Sequence, residues 1–159
     1  MVFRSPAPGQ ARFGDPRTIL TGRDSAFSSA LFQAFPKYPS ALESDQVSAA
    51  LVDAFVIDST GRVELATVSF IQTSRPEFEL AVCEMLSRMR YTPLVVEGVK
   101  RRALVTQAQV FVGKGGSDAA GEPAASALSS RLKNDFASTP IAATINKLES
   151  LPHCDTIKP

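Results

Sequence analysis

The chain has 159 residues, with 17 lysines and arginines against 16 acidic groups, one histidine and a formal net charge of +1. That balance excludes the basic field on which nucleic-acid and polybasic membrane binding depend, and 44% apolar with 21% charged residues is an ordinary soluble mixture. No run approaches the roughly 18 consecutive apolar residues of a membrane span. The start, Met1-Val-Phe-Arg-Ser-Pro6, lacks the apolar stretch of a secretory signal. On these grounds the chain reads as cytosolic, or as a protein whose export segment lies upstream.

Residues 1–35 read as a flexible N-terminal segment, disordered through about Arg17 by composition. Asp24 is placed to cap a short helix carrying Phe27, Leu31 and Phe35 on one face. Residues 36–113 hold the fold. In the first strand Leu51, Phe55 and Ile57 alternate with Val52, Ala54 and Val56. Asp58-Ser-Thr-Gly61 makes a tight turn with Gly61 free to take positive φ, and the alternation resumes from Arg62 to Ile71, which is a β-hairpin. Ser74-Arg-Pro-Glu77 is a capping-box pattern. Phe78, Val82, Met85 and Met89 then form one stripe of an amphipathic helix of about four turns, ended by Pro93. A loop at Val95–Gly98 leads to a last strand from about Arg101 to Val112. There Leu104, Thr106, Ala108 and Val110 alternate with Val105, Gln107, Gln109 and Phe111, and the small Thr106 and Ala108 suit a face under a helix.

Gly113-Lys-Gly-Gly-Ser117 opens a linker, and residues 114–159 are expected to form that linker and a weakly helical tail. Its stripes are Leu128, Leu132 and Phe136, then Ile141, Ile145 and Leu148 after Pro140. The fold class is therefore α+β: a small antiparallel sheet, built as hairpin, helix and strand, with the helix packed on one face. A domain of this size is marginal alone, so the flanking stripes are expected to add cover.

The order of several motifs resembles the C-terminal domain family of the energy transducer TonB. Pro36-Lys-Tyr38-Pro39 is similar to the family's Tyr-Pro entry, and Phe55-Val-Ile-Asp-Ser-Thr-Gly-Arg-Val63 to its hairpin. Pro76-Glu-Phe-Glu79 followed by Ala81 is similar to its helix start, and Arg88-Met-Arg-Tyr-Thr-Pro93 to its helix exit. The resemblance covers residues 36–113 and implies a TonB- or TolA-type fold with a non-enzymatic role. It implies a periplasmic domain, membrane-anchored in its full-length form, that grips an extended peptide segment of an outer-membrane transporter. Grip is by strand addition beside the last strand. The peptide-binding residues it implies are Arg101, Arg102, Val105, Gln107, Gln109 and Phe111, with Tyr38 and Pro39 at the entry. Inner-membrane motor proteins would be partners only through an N-terminal anchor that these residues do not include. The alternative is a stand-alone assembly domain of the same fold, its tail occupying the free edge. A three-stranded sheet leaves two edges, which also permits a homodimer.

Three features depart from the family: no membrane helix or Pro-rich spacer, Asp53 at an inward strand position, and residues 114–159 after the last strand. Asp53 is expected at a twisted strand's rim, or in contact with Arg101 or Arg102, because a lone buried carboxylate is costly. Lys100-Arg-Arg102 reads as solvated charge that protects an edge strand, or as a steering patch for acidic segments. Gln107, Gln109 and Phe111 are assigned an outward face. Cys83 and Cys154 read as unpaired thiols, with pairing in an oxidising compartment as the alternative. Gly113-Lys-Gly-Gly-Ser117 lacks phosphate-loop spacing, and His153-Cys-Asp155 supplies too few ligands for a metal or thiol centre. No cofactor and no metal are called for.

Overall fold

The computed structural model describes residues 10–21, 30–32, 49–73, 75–111 and 121–154. Its elements are α1 (Gln10–Phe13), a 3₁₀ turn at Pro16–Thr18, β1 (Ile19–Thr21), β2 (Ala30–Phe32), β3 (Ala49–Ile57) and β4 (Val63–Thr73). They continue with a 3₁₀ turn at Pro76–Phe78, α2 (Glu79–Arg88), β5 (Arg90–Tyr91), β6 (Leu94–Val96), β7 (Val99–Phe111), α3 (Gly121–Ser138) and α4 (Ile141–Glu149).

The β3–β4 hairpin closes where the sequence places its turn. The Asp58 carboxylate accepts from the amides of Thr60 and Arg62 and from the Thr60 hydroxyl. Gly61 sits at φ 91°, where a side chain is strained, and its carbonyl accepts from the Tyr91 amide at 2.8 Å. The main sheet runs β1-β7-β3-β4, and β6 also pairs with β7. β1 lies parallel to β7, while the β3–β4, β3–β7 and β6–β7 pairs are antiparallel. Asp53 of β3 stands opposite Gln107 of β7 and Phe70 of β4. β2 and β5 make a separate two-stranded pair.

The fold is α+β, but the sheet is covered on both faces rather than one. Leu51, Phe55 and Ile57 face α2 and pack with Val68, Phe70, Phe78, Val82, Met85 and Leu86. Ala54 and Val56 face the other way and pack with Phe13, Ile19, Leu104, Phe136, Ile145 and Leu148. The second layer comes from α1, α3 and α4. β3 is apolar at nearly every position because both of its faces are interior.

Several sequence expectations change. Within the 114–159 segment, α3 and α4 are full helices rather than a weakly helical tail, and their stripes give the sheet the expected cover, with Phe136, Ile145 and Leu148 buried in the second layer. Leu31, expected on a helix with Phe27 and Phe35, belongs to strand β2, while Phe27 and Phe35 lie outside the described residues. A short stripe has little helical stability of its own, and pairing with β5 overrides it. α2 opens from the Pro76–Phe78 turn without a side-chain cap, and Glu77 pairs with Arg75 instead. The partner expected of it, Ser74, lies outside the described residues. The helix ends at Arg88, so Met89 reaches the core from extended backbone at ψ 148°. The expected Val95–Gly98 loop is a hairpin: β6 pairs with β7 through the Glu97-Gly98 turn, whose φ angles of 52° and 77° are both positive. Cys83 and Cys154 form a disulfide. The second layer turns the chain back across β4, which brings residues 71 positions apart to a Cα separation of 5.8 Å.

Candidate functional site

Strand addition needs backbone groups without a ladder partner. The outer edge of β4 is partly closed by the chain itself. The Arg12 guanidinium donates to the Ala66 carbonyl, the Phe70 amide donates to the Pro152 carbonyl, and Ser69 bridges His153. The outer edge of β7 is divided. β6 pairs with Val99–Arg101 and β1 with Arg102–Leu104. Beyond Leu104, β3 holds the inner side through Phe111, and no strand among the described residues pairs with residues 105–110 on the outer side.

The residues assigned to this site from sequence separate into distinct groups. Arg101 and Arg102 sit where the edge is already occupied, opposite Leu94 and Ile19. Arg102 is not a solvated steering charge. Its guanidinium grips both Glu64 oxygens at 2.6 and 2.7 Å, Thr18 Oγ1 at 2.7 Å and the Phe13 carbonyl at 2.7 Å. That fork ties α1, the 3₁₀ turn before β1 and β4 to β7, and it is only partly exposed. Val105 begins the stretch that no described strand pairs on its outer side, and it packs into the core on the α2 face. Gln107, Gln109 and Phe111 share that face, so they do not line an outward groove: Gln109 and Phe111 are buried, and the Phe111 ring lies 4.6 Å from that of Phe78. The residues of the opposite face lie under α3, and Thr106 Oγ1 donates to the Ser129 carbonyl. Tyr38 and Pro39 lie outside the described residues.

A polar seam runs along the α2 face beside this stretch of β7. The Tyr91 hydroxyl donates to Gln107 Oε1 at 3.1 Å, and Gln109 Nε2 donates to the same oxygen at 3.0 Å. Burial pushes the Tyr91 hydroxyl up to about 12, against the pull of Gln107. At the inner end lies Asp53, fully buried rather than at a rim. It stands opposite Gln107, five positions along β7 from Arg102, so the expected pairing with Arg101 or Arg102 does not form. Among the described residues neither carboxyl oxygen has a hydrogen-bond partner, and Gln109 Oε1 is likewise unpartnered. Burial pushes Asp53 up to about 8, outweighing the neighbouring Gln109 amide. A protonated Asp53 carries a donor at the inner end of the seam, where the unpartnered atoms, its own two oxygens and Gln109 Oε1, are otherwise all acceptors. The inward phase of Asp53 in β3 was the signal for this seam. Its connection to Tyr91 was not readable, because Tyr91 joins only through the fold.

With that geometry in place, comparison with known proteins gives a structural likeness alone. No family model matches the chain, and no curated protein does. The solution structure of the Pseudomonas aeruginosa TonB C-terminal domain is 24% identical, covering 56% of this chain and 88% of that one, with a TM-score of 0.44. The TonB2 protein of Vibrio anguillarum is 22% identical, covering 72% and 97%, with a TM-score of 0.42. The chain is similar to TonB C-terminal domains. No helix among the described residues is long and apolar enough to cross a membrane.

Proposed function

We propose that this is a non-enzymatic peptide-binding domain that takes up an extended segment of an outer-membrane transporter as an added strand on β7. The observation that carries the reading is the unequal edge of β7: β6 and β1 occupy its outer side as far as Leu104, and no described strand continues beyond it. A guest entering there extends the line that β1 begins. Its affinity comes from backbone hydrogen bonds, each worth about 0.5–1.5 kcal/mol net, so little side-chain specificity is needed. Strands loaded along their length share a pulling force over all those bonds, which suits a domain that transmits tension. The motif order from Tyr38 to Pro93 supports the same reading, and the disulfide supports an oxidising compartment such as the periplasm.

In this role Gln107 and Gln109 act from behind the strand. Their side chains, tied to Tyr91, stiffen β7 on the α2 face while its backbone receives the guest. The test is a short synthetic peptide copying the periplasm-facing N-terminal segment of an outer-membrane transporter, compared with the same peptide N-methylated at alternate amides. Loss of binding on methylation supports strand addition; equal binding of both peptides, or of neither, rejects it.

The stand-alone assembly reading has one observation in its favour. The chain's own β1 already adds to the β7 edge in parallel, which shows that the edge is used within the fold. Under that reading neither peptide binds.

A further inference from the structure

We propose that the Cys83–Cys154 disulfide is a redox latch that holds the segment after α4 against the outer edge of β4, and that reduction releases this segment while the rest of the domain stays folded. The proposal concerns the opposite edge of the sheet and does not rest on the strand-addition reading.

α4 is anchored independently of the disulfide. Ile145 and Leu148 are buried, and the Arg12 guanidinium bonds the Glu149 carboxylate and the carbonyls of Leu148 and Glu149 at the helix end. Beyond that point the segment Leu151–Cys154 crosses β4. The Phe70 amide donates to the Pro152 carbonyl at 2.9 Å, and Ser69 bridges His153. Leu151 also packs on the second layer, and its amide donates to the Leu148 carbonyl. Past Leu151 the chain is exposed or half-buried, and hydrogen bonds in such places return little of the entropy lost in ordering it. The covalent link to α2 supplies the rest of the hold on Pro152–Cys154. Cys83 is buried on α2, whereas Cys154 is partly exposed, so an external thiol reaches the Cys154 sulfur first.

The exchange balances with an external dithiol as reductant. Its thiolate attacks Cys154 Sγ, the S–S bond breaks, and Cys83 leaves as a thiolate that takes up a proton. The second thiol of the reductant then displaces Cys154, which leaves as a thiol, and the reductant is oxidised to its disulfide. The β4 backbone at Ser69 and Phe70 thereby loses its cover.

Amide hydrogen exchange on the native chain, with and without a dithiol reductant, tests this. Reduction is expected to speed exchange of the Phe70 amide at least about tenfold, while the Val56 amide, which donates to Thr67 Oγ1 inside the sheet, keeps its protection. A Cys154→Ser variant should match the reduced protein at both positions. Unchanged Phe70 protection after reduction overturns the proposal. So does an equal rise at Phe70 and Val56, which would make the disulfide a staple for the whole domain rather than a latch.

Discussion

The Tyr91 hydroxyl donates to Gln107 Oε1 at 3.1 Å, joining the short strand after α2 to the middle of the longest strand in the sheet. The ring lies 5.8 Å from that of Phe55, so the residue is an anchor in the core and a brace behind the part of β7 whose outer side no described strand covers. Tyr91→Phe keeps the ring and removes the brace. The expected cost is about 1 kcal/mol in a chemical unfolding experiment, with faster exchange of the β7 amides flanking Gln107. An unchanged midpoint and unchanged exchange would remove Tyr91 from the account of the site.

Asp53 makes stability fall as pH rises. In the folded chain it keeps its proton up to about 8, while in the unfolded chain it ionises near its ordinary 3.8. Between those values the unfolded state binds fewer protons, so it gains on the folded state; below and above the window the contribution is level. Asp53→Asn cannot titrate. The difference between its unfolding midpoint and that of the parent should therefore shift steadily in the variant's favour from about 4 to about 8. Parallel pH profiles for the two proteins would mean that Asp53 is charged and solvated.

Gly61 is fixed by both space and φ. A Cβ there would overlap the Tyr91 carbonyl oxygen, on a backbone at φ 91°. Gly61→Ala is expected to cost on the order of 1–3 kcal/mol from the backbone conformation alone, with more from displacing Tyr91. The loss should appear as a lower Tm and as disturbed amide shifts at Tyr91. A variant as stable as the parent would show that the hairpin turn and the helix exit are not locked together.

What the sequence reveals depends on how local the cause is. The β3–β4 turn is legible because Asp58 and Gly61 settle it within four neighbours. The α2 stripe is legible because Phe78, Val82 and Met85 repeat at helical spacing and are buried together. Which face of β7 looks inward is not legible from its own alternation. Gln107 and Thr106 are both polar and both covered, one by the α2 side and one by α3. The second layer leaves its trace in β3, where Val52, Ala54 and Val56 are as apolar as Leu51, Phe55 and Ile57. Alternation of that kind marks a strand with two interior faces. The Cys83–Cys154 link and the Arg102–Glu64 pair join distant positions, so only the folded chain displays them.

If a guest strand lies against the outer side of β7 beyond Leu104, nuclear Overhauser contacts between an unlabelled transporter peptide and the isotope-labelled chain will reveal it. We expect a ladder of backbone contacts from the peptide to Val105, Thr106, Gln107 and Ala108, with β1 still paired to Arg102–Leu104. Peptide contacts confined to the β4 edge or to the exposed faces of α3 and α4 would contradict it.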